Sequence, residues 1–252
     1  MTEEKRIALV TGANQGIGLQ IVKELAAQGL TVFLGSRDLS KGKAAVEGLA
    51  GDVYPIQLDV TDQTSINAAA AQIEHEVGRL DILVNNAAIS RAGGMPNETM
   101  HDYIERSRAS LIPVDEVRAV WETNVFGLIA VTQAFVPLLR RSDAGRIVNM
   151  SSGLGSLMVN SAPHPHRATF NPGYGASKTA VNAITLAFAI DLEPDGIKVN
   201  AVTPGFTKTA LNNYEGSETV EQGAAEAVRV ALLGPEGATG TFTQSPGEPF
   251  PW

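Results

Sequence analysis

The sequence predicts a single doubly wound α/β domain over residues 1–252, with a largely parallel, seven-stranded sheet and helices on both faces. Three observations predict it. Short, β-rich apolar runs alternate with helical patterns along the chain, a glycine-rich turn joins the first run to the first helix, and chemically distinctive residues follow six of the runs. A length of 252 residues fits one such domain.

Strands and helices can be assigned from these patterns over most of the chain. The strand candidates are Arg6–Val10, Thr31–Gly35, Val53–Leu58, Leu80–Val84, Gly145–Met150, Ile197–Val202 and Gly240–Thr243. The helix candidates are Ile17–Gln28, Lys41–Leu49, Asp62–Val77, Val117–Leu139, Tyr174–Leu192 and Glu218–Leu233. Right-handed crossovers between parallel strands then place helices on both sides of the sheet.

Composition excludes several classes of function. The formal net charge is −8 and no basic stripe is present, so we expect no nucleic-acid partner. Without cysteine there are no disulfides and no thiolate metal sites. From the charged start MTEEKR we expect no signal peptide, and from the absence of an apolar stretch of about 18 residues we expect no membrane span. We therefore expect a cytoplasmic protein with no membrane partner.

Ligands bind doubly wound sheets beyond the carboxyl ends of the strands. Residues with distinctive chemistry follow six predicted strands here. In chain order they are TGANQGIG, Ser36-Arg37, Asp59, Asn85-Asn86, Ser151-Ser152 and Pro204-Gly205. Packing alone does not predict such a distribution, so we expect a ligand site along this edge.

The loop TGANQGIG is typical of a diphosphate-binding turn. Gly12 permits the tight turn, Gly16 allows close approach to a phosphate, and Gly18 lets the following helix pack against the sheet. The helix N-terminus then presents free N–H groups to an anion. The spacing is G-x-x-x-G-x-G, and no Lys-Ser/Thr follows as in a P-loop. A purely structural turn is the alternative.

Tyr174 and Lys178 are four residues apart in a predicted helix, so they share one face. A neighbouring ammonium group favours phenolate, and we expect it to lower the pKa of Tyr174 from the usual value of about 10. Such a tyrosine can exchange a proton with a reacting oxygen. The spacing alone is common and acquires weight only with the other motifs.

TGANQGIG, NNAA, Asn124 in WETNVFG, Ser152 in NMSS, YGASK and PGFTKT occur in this order. Together they resemble the short-chain dehydrogenase/reductase family, and especially its carbonyl-reductase-like members, from Arg6 to about Thr243. The resemblance implies a Rossmann-type sheet, a nicotinamide cofactor, a small carbonyl substrate and a catalytic tetrad of Asn124, Ser152, Tyr174 and Lys178.

The resemblance also implies a role for each member of the tetrad. Tyr174 would protonate the carbonyl oxygen, and Ser152 would hydrogen-bond the same oxygen. Lys178 would lower the pKa of the tyrosine and hold the nicotinamide ribose, and Asn124 would anchor a water that links Lys178 to solvent. Ser151 is the adjacent candidate, but the family register favours the second serine.

The end of the second strand predicts the cofactor to be NADP(H). Enzymes specific for NAD place a carboxylate there, which would repel a 2′-phosphate; here Ser36 and Arg37 precede the first acid, Asp38. Arg37 pointing to solvent is the alternative, and Gln15 is neutral where many relatives that use NADP are basic. The expected cofactor contacts are Gly12, Asn14, Gln15, Gly16, Ile17, Gly18, Arg37, Asp59, Val60, Asn86, Tyr174, Lys178, Pro204, Gly205, Thr207 and Thr209.

The chain departs from the family pattern in two places. Ala88 replaces the glycine of NNAG, and Ser152 and Tyr174 are separated by 22 positions where compact members have about 13. The inserted segment contains His164 and His166, which lack a third metal ligand nearby, so we expect no metal.

Substrate loops are expected near 91–113, 153–173 and 206–220. The expected pocket residues are Leu154, the segment 158–170, Phe206, Leu211–Tyr214 and Trp252.

We therefore expect NADPH-dependent reduction of a ketone or aldehyde to the alcohol. An NAD(P)-dependent alcohol dehydrogenase running oxidatively and a non-catalytic NADPH-sensing protein remain as alternatives. The chain is expected to be a monomer, or a homo-oligomer that pairs through helices 117–139 and 174–192. The contact residues would then be Val131, Ala134, Ala183 and Ala187.

Overall fold

The computed structural model describes residues 5–93, 99–164 and 167–252. Its strands form one eight-stranded sheet in the order β3-β2-β1-β4-β5-β6-β7-β8. The strands are β1 (Ile7–Val10), β2 (Thr31–Ser36), β3 (Asp52–Gln57), β4 (Ile82–Asn85), β5 (Arg146–Met150), β6 (Lys198–Thr203), β7 (Phe242–Gln244) and β8 (Glu248–Pro249). The doubly wound α/β fold is thus confirmed.

The predicted number of strands is wrong by one. The first seven strands pair in parallel, and β8 adds an antiparallel edge to β7. Because β8 has only two residues, it is too short to show the alternation by which a strand is recognised in sequence.

The helices connect the strands on both faces. They are α1 (Gly16–Ala27), α2 (Leu39–Val46), α3 (Gln63–Val77), α4 (Met100–Arg106), α5 (Val114–Trp121), α6 (Gly127–Leu139), α7 (Leu157–Ser161), α8 (Tyr174–Asp191) and α9 (Val220–Ala231). The predicted helix at 117–139 begins earlier, at Val114, and contains a π-helical turn at Glu122–Phe126 between α5 and α6. The loop predicted at 91–113 contains α4, and its residues 94–98 lie outside the described ranges.

Two apolar cores lie on opposite faces of the sheet, as the strand geometry requires. Leu9 and Phe33 face the core that contains α3 and α6. Their neighbours in sequence, Val10 and Leu34, face the core that contains α1 and α9. β1 and β2 are therefore buried on both faces, which explains their continuous apolar sequences.

The stretch Val114–Leu139 is long and apolar enough to cross a membrane by length and composition, which the sequence did not lead us to expect. Within the fold, 56% of its most apolar window is buried. Val131 and Phe135 are fully buried against the sheet. The apolar character of this helix is therefore accounted for by the protein's own core.

Candidate active site

A cleft of about 800 Å³ runs along the carboxyl edge of the sheet. Most of the predicted cofactor residues line it, namely Gly12, Asn14, Gln15, Gly16, Ile17, Gly18, Arg37, Asp59, Val60, Asn86, Tyr174, Lys178, Pro204 and Thr209. Residues separated by almost two hundred positions are thus brought to one surface, where the ends of parallel strands meet.

The glycine loop presents uncapped main-chain groups to this cleft. α1 begins at Gly16, its N-cap residue Gln15 makes no side-chain cap hydrogen bond, and its first turn contains no acidic residue. A Cβ atom at Gly16 would contact only Thr209, at 3.5 Å or more, and Gly16 has a φ of 58°. The N-terminus of the helix is therefore open to an anion, and the residues present fit the diphosphate of a dinucleotide.

Asn86 braces this loop from the neighbouring strand. Its Nδ2 atom donates to the carbonyls of Thr11 and Gly12 at 2.9 and 3.1 Å. A Cβ atom on Gly18 would lie 2.4 Å from the same Nδ2 atom. The amide of Asn86 thus holds the shape of the loop, while the residue also lines the cleft.

The end of β2 has a basic character. Arg37 is exposed at the rim of the cleft, and Lys41 lines it as well. The carboxylate of Asp38 accepts from the main-chain N–H groups of Ser40 and Lys41 at 2.9 and 3.4 Å, which makes it the N-cap of α2. The nearest acid is therefore engaged in capping a helix, and the cationic groups beside it could hold a phosphate.

Two predicted cofactor residues, Gly205 and Thr207, are absent from the cleft lining. Thr207 is buried, and its hydroxyl donates to the carbonyl of Pro204 at 2.9 Å. Gly205 packs close to the carboxylate of Glu218. Both residues therefore shape the loop after β6 instead of facing the cleft.

Tyr174 and Lys178 line the cleft, whereas Ser152, which lies beside Tyr174, is absent from its lining. The side chain of Ser152 hydrogen-bonds that of Tyr174, and Lys178 Nζ lies 5.7 Å from the centroid of the tyrosine ring. Lys178 is almost fully buried and donates to the carbonyl of Met150 at 2.7 Å. The spacing of Tyr174 and Lys178 on α8 thus brings the two groups together as the sequence predicts.

The pKa values differ from the sequence expectation. Burial raises the pKa of Tyr174 to about 12, although the hydrogen bond from Ser152 partly opposes this. The expected lowering is therefore wrong in direction, because desolvation of the phenolate is the largest effect and the charge interaction with Tyr103 adds to it. Burial also lowers the pKa of Lys178 to about 8, so its ammonium group is still mostly protonated at neutral pH.

The two adjacent serines have different surroundings. Ser151 is buried, and its hydroxyl donates to Asn182 Oδ1 at 2.5 Å. Ser152 is half-buried and is the serine that bonds to Tyr174. The two hydroxyls thus have different partners, Asn182 for Ser151 and Tyr174 for Ser152, although it is Ser151 that lines the cleft.

Asn124 lies in the π-helical turn and is fully buried. Its Oδ1 accepts from the N–H of Ile89 at 2.8 Å, and its Nδ2 donates to the carbonyl of Ile89 and to Ser177 Oγ at 2.9 and 3.0 Å. The amide therefore ties the loop after β4 to α8, and it does not line the cleft.

The predicted substrate pocket is only partly reproduced. Leu211 and Tyr214 line the cleft, whereas Leu154, Phe206 and Trp252 are absent from its lining. Ala88, which occupies the position of the family's glycine, also lines the cleft. In the segment 158–170, residues 165 and 166 lie outside the described ranges, and His166 is one of them.

The lining residues Lys23, Lys41 and Ser90 were missed by the sequence analysis, whereas Arg91 and Lys208 belong to the substrate loops predicted near 91–113 and 206–220. Ser90 follows the NNAA motif after one intervening residue, Ile89, so its position after β4 is a signal that could have identified it. Within residues 5–93, 99–164 and 167–252, no group of three or more His, Cys, Asp or Glu side chains could hold a metal ion.

The fold and the cleft define a dinucleotide-binding protein with a tyrosine–lysine pair at its active edge. The family model for short chain dehydrogenase matches residues 6–219. The chain belongs to the short-chain dehydrogenase/reductase family, whose members are oxidoreductases that use nicotinamide cofactors.

Individual relatives agree with this assignment. The chain is 37% identical over 240 residues to the short-chain dehydrogenase anuI of Penicillium roqueforti, covering 91% of this chain and 90% of that protein. The structure of salutaridine reductase from Papaver somniferum superposes with a TM-score of 0.79 at 31% identity, covering 96% and 100% of the two chains. NADPH-bound carbonyl reductase from chicken fatty liver gives a TM-score of 0.78 at 28% identity, with 99% and 100% covered.

Proposed function

We propose that this protein reduces a ketone or aldehyde to the alcohol with NADPH, and that Tyr174 is the general acid. The observation that carries the proposal is that Tyr174 and Lys178 lie side by side on the cleft lining, with Ser152 hydrogen-bonded to the tyrosine. A phenol whose pKa is about 12 stays protonated at neutral pH, so it is ready to donate to a carbonyl oxygen.

Different residues would bind different parts of the cofactor and the substrate. The N–H groups at the start of α1 would hold the diphosphate, and Arg37 and Lys41 would hold the 2′-phosphate as charged donors. The nicotinamide, when bound, supplies the hydride. Ser152 would orient the substrate oxygen and stabilise the charge that develops on it.

Proton supply would depend on Lys178. Its pKa of about 8 allows it to release and recover a proton close to neutral pH. The side-chain amide of Asn124 is engaged with Ile89 and Ser177. We therefore assign the relay water to a main-chain group of the π-helical turn and not to that side chain.

The raised pKa of Tyr174 keeps the phenol in the protonated form that reduction of a carbonyl consumes. An enzyme that oxidises an alcohol needs the phenolate as a base, and burial disfavours that form here. A protein that only senses NADPH would need no acid–base group beside the cofactor. The name of the chicken relative, an NADPH-bound carbonyl reductase, supports the same direction and cofactor.

The proposal is tested by following the loss of NADPH absorbance with a panel of ketones and aldehydes. We expect Tyr174→Phe to lower kcat/KM by about 100-fold or more, because a positioned general acid contributes that much. Tyr54→Phe, which changes an exposed tyrosine on β3, is the matched control and should retain activity. Equal rates for wild type and Tyr174→Phe would refute the assignment of the acid, and inert wild type would favour the sensing protein.

The choice of cofactor is tested separately at Arg37. Arg37→Asp should weaken NADPH binding by roughly 10- to 150-fold, because a charged hydrogen bond is lost and a repulsive carboxylate is gained. Binding of NADPH and NADH is measured by fluorescence titration. An unchanged ratio of the two affinities would contradict a role of Arg37 in binding the 2′-phosphate.

A further inference from the structure

The carbonyl oxygen of Leu211 accepts two hydrogen bonds from the opposite side of the cleft. Ser90 Oγ donates to it at 2.9 Å, and Arg91 Nη2 donates to it at 3.3 Å. All three residues line the cleft, and 121 and 120 positions separate the donors from the acceptor. The loop after β4 and the loop after β6 are thus joined directly above the cleft.

The two donors are held in place by Tyr103 of α4. Its hydroxyl donates to the carbonyl of Ser90 at 2.7 Å, and its ring lies 4.1 Å from the guanidinium carbon of Arg91. Arg91 and Tyr103 are each only 4% exposed. Since a buried, stacked guanidinium has little freedom, its bond to Leu211 fixes the loop more firmly than a mobile surface arginine would.

The loop at 208–216 has few other attachments. Its described hydrogen bonds run mostly within the segment 206–218, such as Tyr214 N–H to Thr209 and Asn212 Nδ2 to Thr207. Among the hydrogen bonds that the structure describes, only those from Ser90 and Arg91 tie the loop at 208–216 to a distant part of the chain.

The same loop is conformationally strained. Asn213 and Tyr214 both have positive φ angles, 56° and 61°. Two consecutive non-glycine residues in the left-handed region raise the free energy of this conformation. A strained loop with two distant attachments opens when those attachments are lost.

We propose that Ser90 and Arg91 form a clasp on the carbonyl of Leu211 that holds the loop at 208–216 closed over bound substrate. They are positioning residues, since they act through the loop and through the cleft residues Leu211 and Tyr214. The clasp slows the release of bound substrate, and it takes no part in the proton transfer from Tyr174. Its effect on turnover rests on the function proposed above.

The clasp is first tested without turnover, by limited trypsin digestion of the full chain. Lys208 is exposed in this loop, and cleavage after it requires the loop to open. We expect Ser90→Ala and Arg91→Met to raise the rate of that cleavage, by about 10-fold or more for Arg91→Met, because a charged hydrogen bond is lost. The fragment is identified by mass and by its disappearance in a Lys208→Gln background.

Arg118→Met is the matched control. It also removes a guanidinium group, but from an exposed ion pair with Asp115 on α5. Equal cleavage rates in wild type, Ser90→Ala and Arg91→Met would overturn the clasp. So would the same acceleration in Arg118→Met, because the effect would then be global. Arg91→Lys, which keeps the charge and loses the planar fork, should be cleaved at an intermediate rate.

Turnover gives the second readout. We expect the clasp variants to raise KM for the carbonyl substrate by about 5-fold or more, with kcat changed by less than about 2-fold, because retention and not chemistry is affected. A fall in kcat at unchanged KM would overturn the proposal. An inactive wild type would defeat the proposed function alone, since the digestion does not depend on activity.

Discussion

At the scale of single residues, Lys178 combines a functional position with a cost in stability. Its ammonium group is almost fully buried, and it bonds to the carbonyl of Met150. Desolvation is the only described cause of its lowered pKa, so no carboxylate in the described part of the chain offsets the burial. The buried ammonium group of Lys178 therefore lowers the stability of the fold, and its position is explained by the active site.

This burial predicts a pH dependence of stability. The pKa of Lys178 falls from 10.5 in the unfolded chain to about 8 in the fold, so between these values the unfolded state binds more protons. The free energy of unfolding contributed by Lys178 should therefore rise with pH from about 8 to about 10. Urea denaturation at several pH values measures it. Above pH 10.0 the raised pKa of Tyr174 should make the free energy of unfolding fall as the pH rises, because the folded state then binds more protons than the unfolded state.

Replacing the lysine should separate stability from activity. At pH 7 we expect Lys178→Met to unfold with a free energy about 1–2 kcal/mol higher, because a buried charge is removed while one hydrogen bond to Met150 is lost. The variant should be inactive with carbonyl substrates and should lose the rise above pH 8. A less stable variant that keeps this rise would show that Lys178 is not the titrating group.

At the scale of elements, the contact between the start of α1 and the loop after β4 holds the glycine loop in the conformation that lines the cleft. Gly18→Ala should lower the free energy of unfolding by about 1–3 kcal/mol, because the added Cβ would lie 2.4 Å from Asn86 Nδ2 and 2.9 Å from Ala13 Cα. NADPH affinity should fall with it. Gly234→Ala is the control, since nothing lies within 4 Å of a Cβ there; equal effects of both changes on denaturation would contradict this reading.

How far the sequence predicts an element depends on what defines it. Strand ends marked by motifs, such as Asp59 and Asn86, lie on the cleft as expected, because parallel strands must end at one edge. No sequence motif indicates the π-helical turn around Asn124 or the hydrogen bonds to the carbonyl of Leu211. Both depend on main-chain groups and on tertiary packing, and neither of these produces a recognisable pattern of residues. The pKa of Tyr174 was predicted in the wrong direction because burial cannot be read from a spacing of four.

At the scale of the whole molecule, α8 presents an outward apolar surface. Leu186 is 44% and Ile190 is 66% exposed, and Ala183 and Ala187 lie beside them on the exposed face. Val131, which was predicted to share this contact, is fully buried in the core, so its predicted place on the surface is wrong. The remaining face is suited to a second copy of the same helix.

Of the two predicted states, monomer and homo-oligomer, we test the homo-oligomer that pairs through α8. Ala187→Glu should convert it to a monomer, because a charge without a partner is then placed in the contact. Sedimentation or light scattering measures the mass. Ala68→Glu, at an exposed position on α3, should leave the mass unchanged, and a wild type of monomer mass would refute the contact.

Because β3, β2, β1 and β4 are neighbours in the sheet and also the first four strands of the chain, half of the cleft is encoded before residue 90. The glycine loop, Arg37, Asp59 and Val60 all belong to this half. During synthesis it emerges well before Tyr174 leaves the ribosome. The adenosine end of the cofactor could thus meet a nascent chain that does not yet carry a proton donor, and α9, which follows Tyr174 in the chain, packs against α1 only later.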